Sequence, residues 1–372
     1  MPTAVAAIIL AAGYSSRMGA FKPLLPLAGA SALERAVGLF REAGVGDVRV
    51  VTGHRAAELG PLLKRLGVRP IFNPDYPEGM FSSVATGFSS LEEKISACFV
   101  LPVDLPLVRP ATVHRLWQTF AEAPAAVLYP TFGGKRGHPP LIAGEAARRL
   151  PGWTGEGGLK RALGQWEAQS REVVVADELI LRDMDSPEDF QRLQRRAERL
   201  EIPKIAECRE LLRLSYASDD PIVRHCEAVA RLAVEIGTEL NATGADLDLE
   251  LLEAAGLLHD LARSEPAHAR VGAERLRALG FTAVAEVVAV HMDLPLPIGE
   301  TIDEAQLLFL ADKLVQGERR VSLEERFGPA RRRHRRDPAV RSGIERRRQT
   351  AQTILNRLEK ALNPMTERTA TP

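Results

Sequence analysis

A chain of 372 residues is longer than one hydrophobic core requires, so length alone favours two domains. Hydrophobic residues make up 45%, ample for burial, and 49 basic side chains are matched by 49 acidic ones, which removes any global electrostatic reason to expect nucleic acid or an anionic membrane as partner. Cys98, Cys208 and Cys226 form no CxxC pair and no disulfide framework, which fits free thiols in a reducing compartment and makes the cytoplasm the expected location.

The opening MPTAVAAIILAAG has an apolar run, but it lacks a basic n-region and breaks at Gly13, well short of a membrane span. It reads as a buried strand over Val5 to Ala11. Further apolar runs follow at Val48 to Thr52, Cys98 to Pro102 and Ala126 to Tyr129, separated by helical patterns at Ser31 to Ala43, Ala56 to Leu66, Phe81 to Leu91 and Pro110 to Glu122. Strands alternating with helices of these lengths predict a mainly parallel sheet covered on both faces, a three-layer α/β, Rossmann-like domain over residues 1–198. Pro187 opens a charged helix and Pro203 punctuates its end. From Ile205 to Leu362 the sequence presents no convincing strand, so residues 205–362 are predicted as an all-α domain. Asp220 followed by Pro221 has the form of an N-cap and first turn, with Cys226, Val229, Ala230, Ala233 and Ile236 on one helical face. Residues after Pro364 read as a frayed tail.

Two constellations carry chemistry. The first begins at Leu10-Ala11-Ala12-Gly13-Tyr-Ser-Ser-Arg17-Met-Gly-Ala-Phe-Lys22, placed after the first strand at a carboxyl end of the sheet, where open α/β folds bind ligands. Gly13 and Gly19 permit close backbone approach, and Arg17 and Lys22 supply positive charge for a triphosphate. Leu101-Pro-Val-Asp104-Leu-Pro106 ends a later apolar run, and a carboxylate there suits Mg2+, which takes oxygen ligands and bridges to phosphates. Asp185 either completes that metal site or caps the helix opened by Pro187.

The first string resembles the LAAGxSxRMGxxK signature of the nucleotidyltransferases related to molybdopterin cytidylyltransferase and molybdopterin-guanine dinucleotide synthase, with Tyr14 in a free position. Asp104 matches the family's VxDxP aspartate. Gly79 to Gly87, with Ser83, resembles its GxxxSxxxG segment beside the nucleotide base and ribose. Gly137-His138-Pro139 resembles its acceptor-side GHP, and Asp183 to Asp189 its closing DIDTPEDY, with Ser186 and Phe190 departing from it. The resemblance covers residues 4–192 and implies CTP or GTP as donor, molybdopterin as acceptor, Mg2+ at Asp104, release of pyrophosphate, and a molybdoenzyme as recipient of the product. Leu10, Ala11, Ala12, Gly13, Ser83 and Asp104 would hold the nucleotide, and the Ala11-Ala12 form points to CTP. His138 either contacts the acceptor or is a structural histidine bonding its loop. Two rivals remain: a sugar- or alcohol-phosphate acceptor, and a non-catalytic accessory role that would give no reason to retain Arg17, Lys22 and Asp104.

The second constellation lies in the helical half: His225, His259-Asp260, His268, His291 and Asp312. Aspartates in apolar stretches such as LLEAAGLLHDLA and AQLLFLADKLV need a buried partner, and imidazole with carboxylate suits Mn2+, Fe2+ or Zn2+. The ordered set resembles the HD superfamily of metal-dependent phosphohydrolases over residues 205–316, with His268 and His291 matching the two extra histidines of its two-metal branch, similar to the dinucleoside tetraphosphate hydrolases. The resemblance implies hydrolysis of a phosphate ester or anhydride, with Asp260 as base. A nucleotide-sensing module without turnover is the alternative. An Arg-rich stretch, Arg331 to Arg333, Arg335, Arg336 and Arg346 to Arg348, is interspersed with acids and has no aromatic platform, so it reads as a solvated helical face and not a nucleic-acid surface.

Overall fold

Strand β1, Ala4–Ala11, sends its side chains alternately into two apolar layers: Ala7, Ile9 and Ala11 join one buried cluster, Ala6, Ile8 and Leu10 the other. A strand buried on both faces reads as an unbroken apolar run, which made it visible in the sequence. The computed structural model describes residues 4–363 apart from 296 and 300, so the tail after Pro364 lies outside the described residues. Two compact units divide between Arg199 and Leu200.

In the first unit β1 is followed by a ribbon of β2, Pro26–Leu27, and β3, Ala30–Ser31, then α1, Ala32–Glu42, β4, Asp47–Thr52, α2, Ala56–Leu66, β5, Arg69–Phe72, α3, Met80–Ser89, β6, Ile95–Pro102, and α4, Pro110–Glu122. It continues through β7, Val127–Phe132, β8, Lys135–Arg136, β9, Leu141–Ala143, α5, Gly144–Arg149, α6, Gly158–Leu163, β10, Ser170–Val174, and α7, Pro187–Ala197. The main sheet runs in the order β10-β7-β9-β6-β1-β4-β5, with β8 paired to β7. Strands β5, β4, β1 and β6 are mutually parallel, as are β7 and β10, while β9 is inserted antiparallel to both β6 and β7. The four strands read from sequence are present; β5, β8, β9 and β10 add to them in the same sheet. Strand β5 lacked an apolar signal because it is an edge strand with Arg69 and Pro70 exposed, the position where a residue without an N–H is tolerated.

The second unit contains α8, Ile205–Ser215, α9, Pro221–Ala242, α10, Leu249–Leu258, α11, His268–Ala278, α12, Thr282–Ala289, and α13, Glu304–Lys313. A ribbon of β11, Val315–Gln316, and β12, Arg319–Arg320, follows, then α14, Leu323–Arg333, and α15, Pro338–Leu362. The ribbon corrects the expectation of no strand: it turns at Gly317, whose φ of 62° suits glycine, and it is too short to leave a sequence pattern. Helix α9 starts as expected, with the Asp220 side chain accepting from the Ile222 N–H and Pro221 in the first turn, and Cys226, Val229, Ala230, Ala233 and Ile236 are buried. Helix α10 can approach it closely because position 256 is glycine; a Cβ there would sit 2.5 Å from the Cα of Ala230. The Arg-rich stretch falls on α14, α15 and the turn between them, which holds Arg335 and Arg336; Arg331 and Arg348 pair with Glu345, and Arg346 and Arg347 with Asp293. All three cysteines are free and buried. Among the described residues no helix is long and apolar enough to cross a membrane.

Candidate active sites

Leu10 of β1 is in register with Pro102 of β6, so the loops leaving these strands emerge side by side at one edge of the sheet. The first loop folds back on itself. Ser15 adopts a left-handed φ of 56°, its Oγ accepts from the Lys22 N–H at 3.1 Å, and its carbonyl accepts from the Met18 N–H at 3.2 Å. Met18 and Phe21 are buried and anchor the far side. Lys22 is thereby delivered to the carboxylates: its Nζ donates to Asp185 Oδ1 at 2.8 Å and to Asp104 Oδ2 at 3.3 Å. Arg17 donates to Asp185 Oδ2 at 2.8 Å while 78% of its side chain stays exposed. The Met184 N–H donates to the Asp104 carbonyl at 2.9 Å, which clips the late Asp183–Asp185 segment to the end of β6. The hydrogen bond from Lys22 holds the Asp185 carboxyl below its ordinary pKa. Asp183 is held above its own, by burial first and then by the charges of Asp185 and Asp104.

The capping alternative for Asp185 is corrected: Ser186 caps α7 through the Asp189 N–H, and Asp189 returns the bond. Asp185 is left to the cations. A cavity of about 390 Å3 opens here, lined by Leu10 to Gly13, Arg17, Lys22, Ser83, Asp104 and Asp185. His138 is not among its lining; its N–H donates to the Ile180 carbonyl, and burial lowers its imidazole pKa against the opposing field of Asp104.

Several residues of this site left no sequence signal. Asn73, fully buried at the end of β5, donates to Ser82 Oγ and Ser83 Oγ and accepts from Thr86 Oγ1, and so fixes the start of α3 beside the cavity. Tyr14, Tyr76 and His54 cluster at the rim, with ring centroids 4.9 to 6.1 Å apart. These contacts join separate loops, so no local spacing announces them.

The second cluster is built at helix ends. Helix α10 stops at Leu258, inside the apolar stretch LLEAAGLLHDLA, so His259 and Asp260 sit in the following turn. The Tyr216 hydroxyl pins that turn, donating to the Asp260 carbonyl at 2.7 Å and accepting from the Arg263 N–H at 2.9 Å. His225 comes from α9, His268 from the start of α11, His291 from beyond α12 and Asp312 from α13. Three imidazoles donate Nδ1–H to backbone carbonyls: His225 to Gly317, His259 to Gly256 and His291 to Val288, at 2.8 to 3.0 Å. That bonding leaves each Nε2 as a lone pair. These lone pairs face carboxylate oxygens: His225 Nε2 lies 3.3 Å from Asp312 Oδ1, His259 Nε2 3.6 Å from Asp260 Oδ2, and His291 Nε2 3.7 Å from Asp260 Oδ1. His268 Nε2, which accepts from Arg263, is 3.2 Å from Asp260 Oδ1.

Acceptors facing acceptors call for a cation between them. His259 Nε2, His291 Nε2 and Asp260 Oδ1 are buried without a hydrogen-bond partner, each costing about 1–3 kcal/mol if left so. Two three-donor groups suit a metal ion, His225, His259 and Asp260 on one side and Asp260, His268 and His291 on the other, sharing Asp260. Burial pulls the His259 imidazole down to about 4, keeping it neutral. Burial works to lower the His225 imidazole, but the negative charge of the Asp312 carboxylate beside it more than offsets this and holds it above the usual histidine value. Asp312 is driven well below the carboxylate range by Lys313, His225 and His259 in spite of its own burial.

Comparison with known proteins decides the family. Residues 7–172 match the MobA-like NTP transferase domain and residues 222–316 the HD domain. The chain belongs to the MobA-like NTP transferases. Its nucleotidyltransferase domain is followed in sequence by the HD domain, and both belong to enzyme families. Among relatives of this transferase, the molybdenum cofactor cytidylyltransferase of Escherichia coli is 27% identical over 50% of this chain and 94% of its own. The phosphoenolpyruvate guanylyltransferase of Rubrobacter xylanophilus is 32% identical over 49% of this chain and 88% of its own. The bifunctional IPC transferase and DIPP synthase of the same organism is 38% identical over 33% of this chain, which spans only 29% of that protein. A solved nucleotidyl transferase from Methanothermobacter thermautotroptrophicus is 26% identical, covering 53% of this chain and 98% of that one with a TM-score of 0.47.

Proposed function

We propose that the transferase domain moves CMP from CTP to the phosphate of molybdopterin and releases pyrophosphate, and that the HD domain hydrolyses a phosphate ester or anhydride. The observation that carries the first reading is the Lys22 ammonium held between Asp104 and Asp185 at the cavity, with Arg17 beside it. A volume of about 390 Å3 lies within the range of small-molecule sites, about 300–1,000 Å3. CTP is preferred over GTP on the Ala11-Ala12 form of the loop, and molybdopterin on the E. coli relative, which aligns across nearly its whole length.

Asp104 and Asp185 fit Mg2+, which is commonly bound by one or two carboxylates together with substrate phosphates. When bound, Mg2+ supplies neutralisation of the triphosphate charge. The chain's own groups do the rest. An acceptor phosphate oxygen attacks the α-phosphorus in line, the bond to the β-phosphate oxygen breaks, and pyrophosphate leaves with the electron pair. Lys22 and Arg17 exchange their carboxylate partners for phosphate oxygens and offset the charge gathering on the leaving group. Ser83, fixed by Asn73, borders the nucleoside, and His138 stands on the acceptor side.

In the HD domain, His225, His259, Asp260, His268, His291 and Asp312 would hold one or two divalent ions such as Mn2+, Fe2+ or Zn2+, which supply activation of water and polarisation of a phosphoryl oxygen. Asp260 orients the four nearby donors and is the group placed to accept a proton.

A second acceptor reading has its own support: relatives of this domain include a phosphoenolpyruvate guanylyltransferase and a bifunctional IPC transferase, whose names point to other acceptors. The test is a nucleotide and acceptor screen of the full chain with Mg2+, followed by mass measurement. A product of CMP joined to molybdopterin supports the proposal; product formed with a sugar phosphate and none with molybdopterin replaces the acceptor.

A further inference from the structure

The two three-donor groups of the second unit share Asp260 but differ in what already stands beside them. In the first, His259 Nε2 is buried without a hydrogen-bond partner, and His225 Nε2 faces the Asp312 carboxylate at 3.3 Å. In the second, His268 Nε2 accepts a hydrogen bond from Arg263 Nη1 at 3.3 Å, and the same nitrogen lies 3.5 Å from Asp260 Oδ1. One guanidinium nitrogen thus stands against two of the three residues of that group. A divalent ion brought among Asp260, His268 and His291 must take the His268 lone pair from Arg263, and it meets the arginine's positive charge at short range.

The first group has no such rival. Beside it, the cations Lys313 and Arg326 contact Asp312, which belongs to neither group. Arg263 is also built so that its side chain can leave while its backbone stays. Its N–H donates to the Asp260 carbonyl and to the Tyr216 hydroxyl, both at 2.9 Å, and that hydroxyl donates in turn to the Asp260 carbonyl. The Arg263 side chain is 46% exposed, against 6% for Asp260 and 14% for His268. A swing of the guanidinium into solvent therefore leaves the turn that carries His259 and Asp260 latched.

We propose that Arg263 is a built-in competitor for one of the two metal positions: the His225, His259 and Asp260 group takes a divalent ion first, and the Asp260, His268 and His291 group takes one only as the Arg263 side chain withdraws. This deepens the metal-dependent HD reading and rests on it. The cluster then has two occupancy states, and Arg263 sets the metal concentration that separates them. Its role is to regulate the site's loading, through His268 and Asp260.

The test titrates the full chain with Mn2+ on an Asp104→Ala, Asp185→Ala background, so that the transferase site contributes no ion binding. Calorimetry reads the stepwise affinities, and electron paramagnetic resonance reads the exchange-coupled signal of a Mn2+ pair. The parent is expected to bind two ions in separate steps. Arg263→Gln, which removes the charge and keeps a polar side chain, should tighten the second step by about tenfold or more and the first by about threefold or less. The pair signal should then appear at correspondingly lower Mn2+. Arg263→Lys should keep a gap between the steps, and His268→Ala should abolish the second step alone. Equal steps in the parent, an Arg263→Gln titration that matches it, equal tightening of both steps, or a second step that survives His268→Ala would overturn the competition while leaving the metal cluster in place. Absence of Mn2+ binding in the parent and in every variant would overturn the metal-dependent HD reading itself.

Discussion

The two sites arrange their charged and polar groups in opposite ways. At the sheet edge, Arg17, Lys22, Asp104 and Asp185 satisfy one another, so a triphosphate must displace existing ion pairs. In the helical unit, His259 Nε2 and His291 Nε2 are buried facing carboxylate oxygens without a hydrogen-bond partner, and Asp260 Oδ1 has only the longer ionic contact with Arg263. The first arrangement is a self-paired site built on loops and suited to turnover. The second is a site whose burial is incomplete without an ion. Ligand dependence of stability should therefore be concentrated in the helical unit, while charge dependence of rate should be concentrated at the sheet edge.

The largest effect expected is on rate. Asp104→Ala should lower CMP transfer about 1,000-fold or more, the equivalent of about 4 kcal/mol of lost charge stabilisation, with the circular dichroism spectrum unchanged. Retained transfer would break the comparison at its first term. Lys22→Ala should cost about 100- to 1,000-fold in kcat/KM, as the removal of a charge-stabilising donor does elsewhere. Chelation of metal from the full chain should destabilise the HD domain by about 2–3 kcal/mol relative to protein with ion at a hundredfold excess over its Kd. Scanning calorimetry should show that loss in one transition and a smaller shift, if any, in the other; equal shifts would erase the distinction. Asn73→Ala leaves Ser83 without its donor and should destabilise the first unit by about 1–3 kcal/mol, raising KM for CTP more than it lowers kcat. The smallest effect is Asp220→Ala, which removes the N-cap of α9 and should cost about 1 kcal/mol by urea denaturation, without loss of bound metal.

The legible parts of this molecule were those in which a function and a local pattern coincide. The strand–loop sequence from Leu10 to Lys22 and the Asp104 turn each occupy one stretch of chain, and parallel pairing of β1 with β6 does the rest. The ordered His and Asp residues of the second unit likewise stand out because charged groups in apolar helices demand a partner. Asp185 could not be assigned between cap and site, because Ser186 beside it is an equally good cap and only the fold shows which one bonds the Asp189 N–H. Strand β9 escaped because three residues inserted antiparallel carry no periodicity. Asn73 and Tyr216 escaped for a different reason: each acts across a tertiary contact.

The account rests on the sheet-edge site, and not the helical cluster, performing nucleotidyl transfer. The direct measurement is mass analysis of the nucleotide product formed by the full chain from CTP, Mg2+ and molybdopterin, in parallel with its Asp104→Ala and Asp260→Ala variants. The parent chain and Asp260→Ala should both yield the CMP-linked product, and Asp104→Ala should yield none. Product from Asp104→Ala at the parental rate, or its disappearance in Asp260→Ala alone, would contradict the assignment.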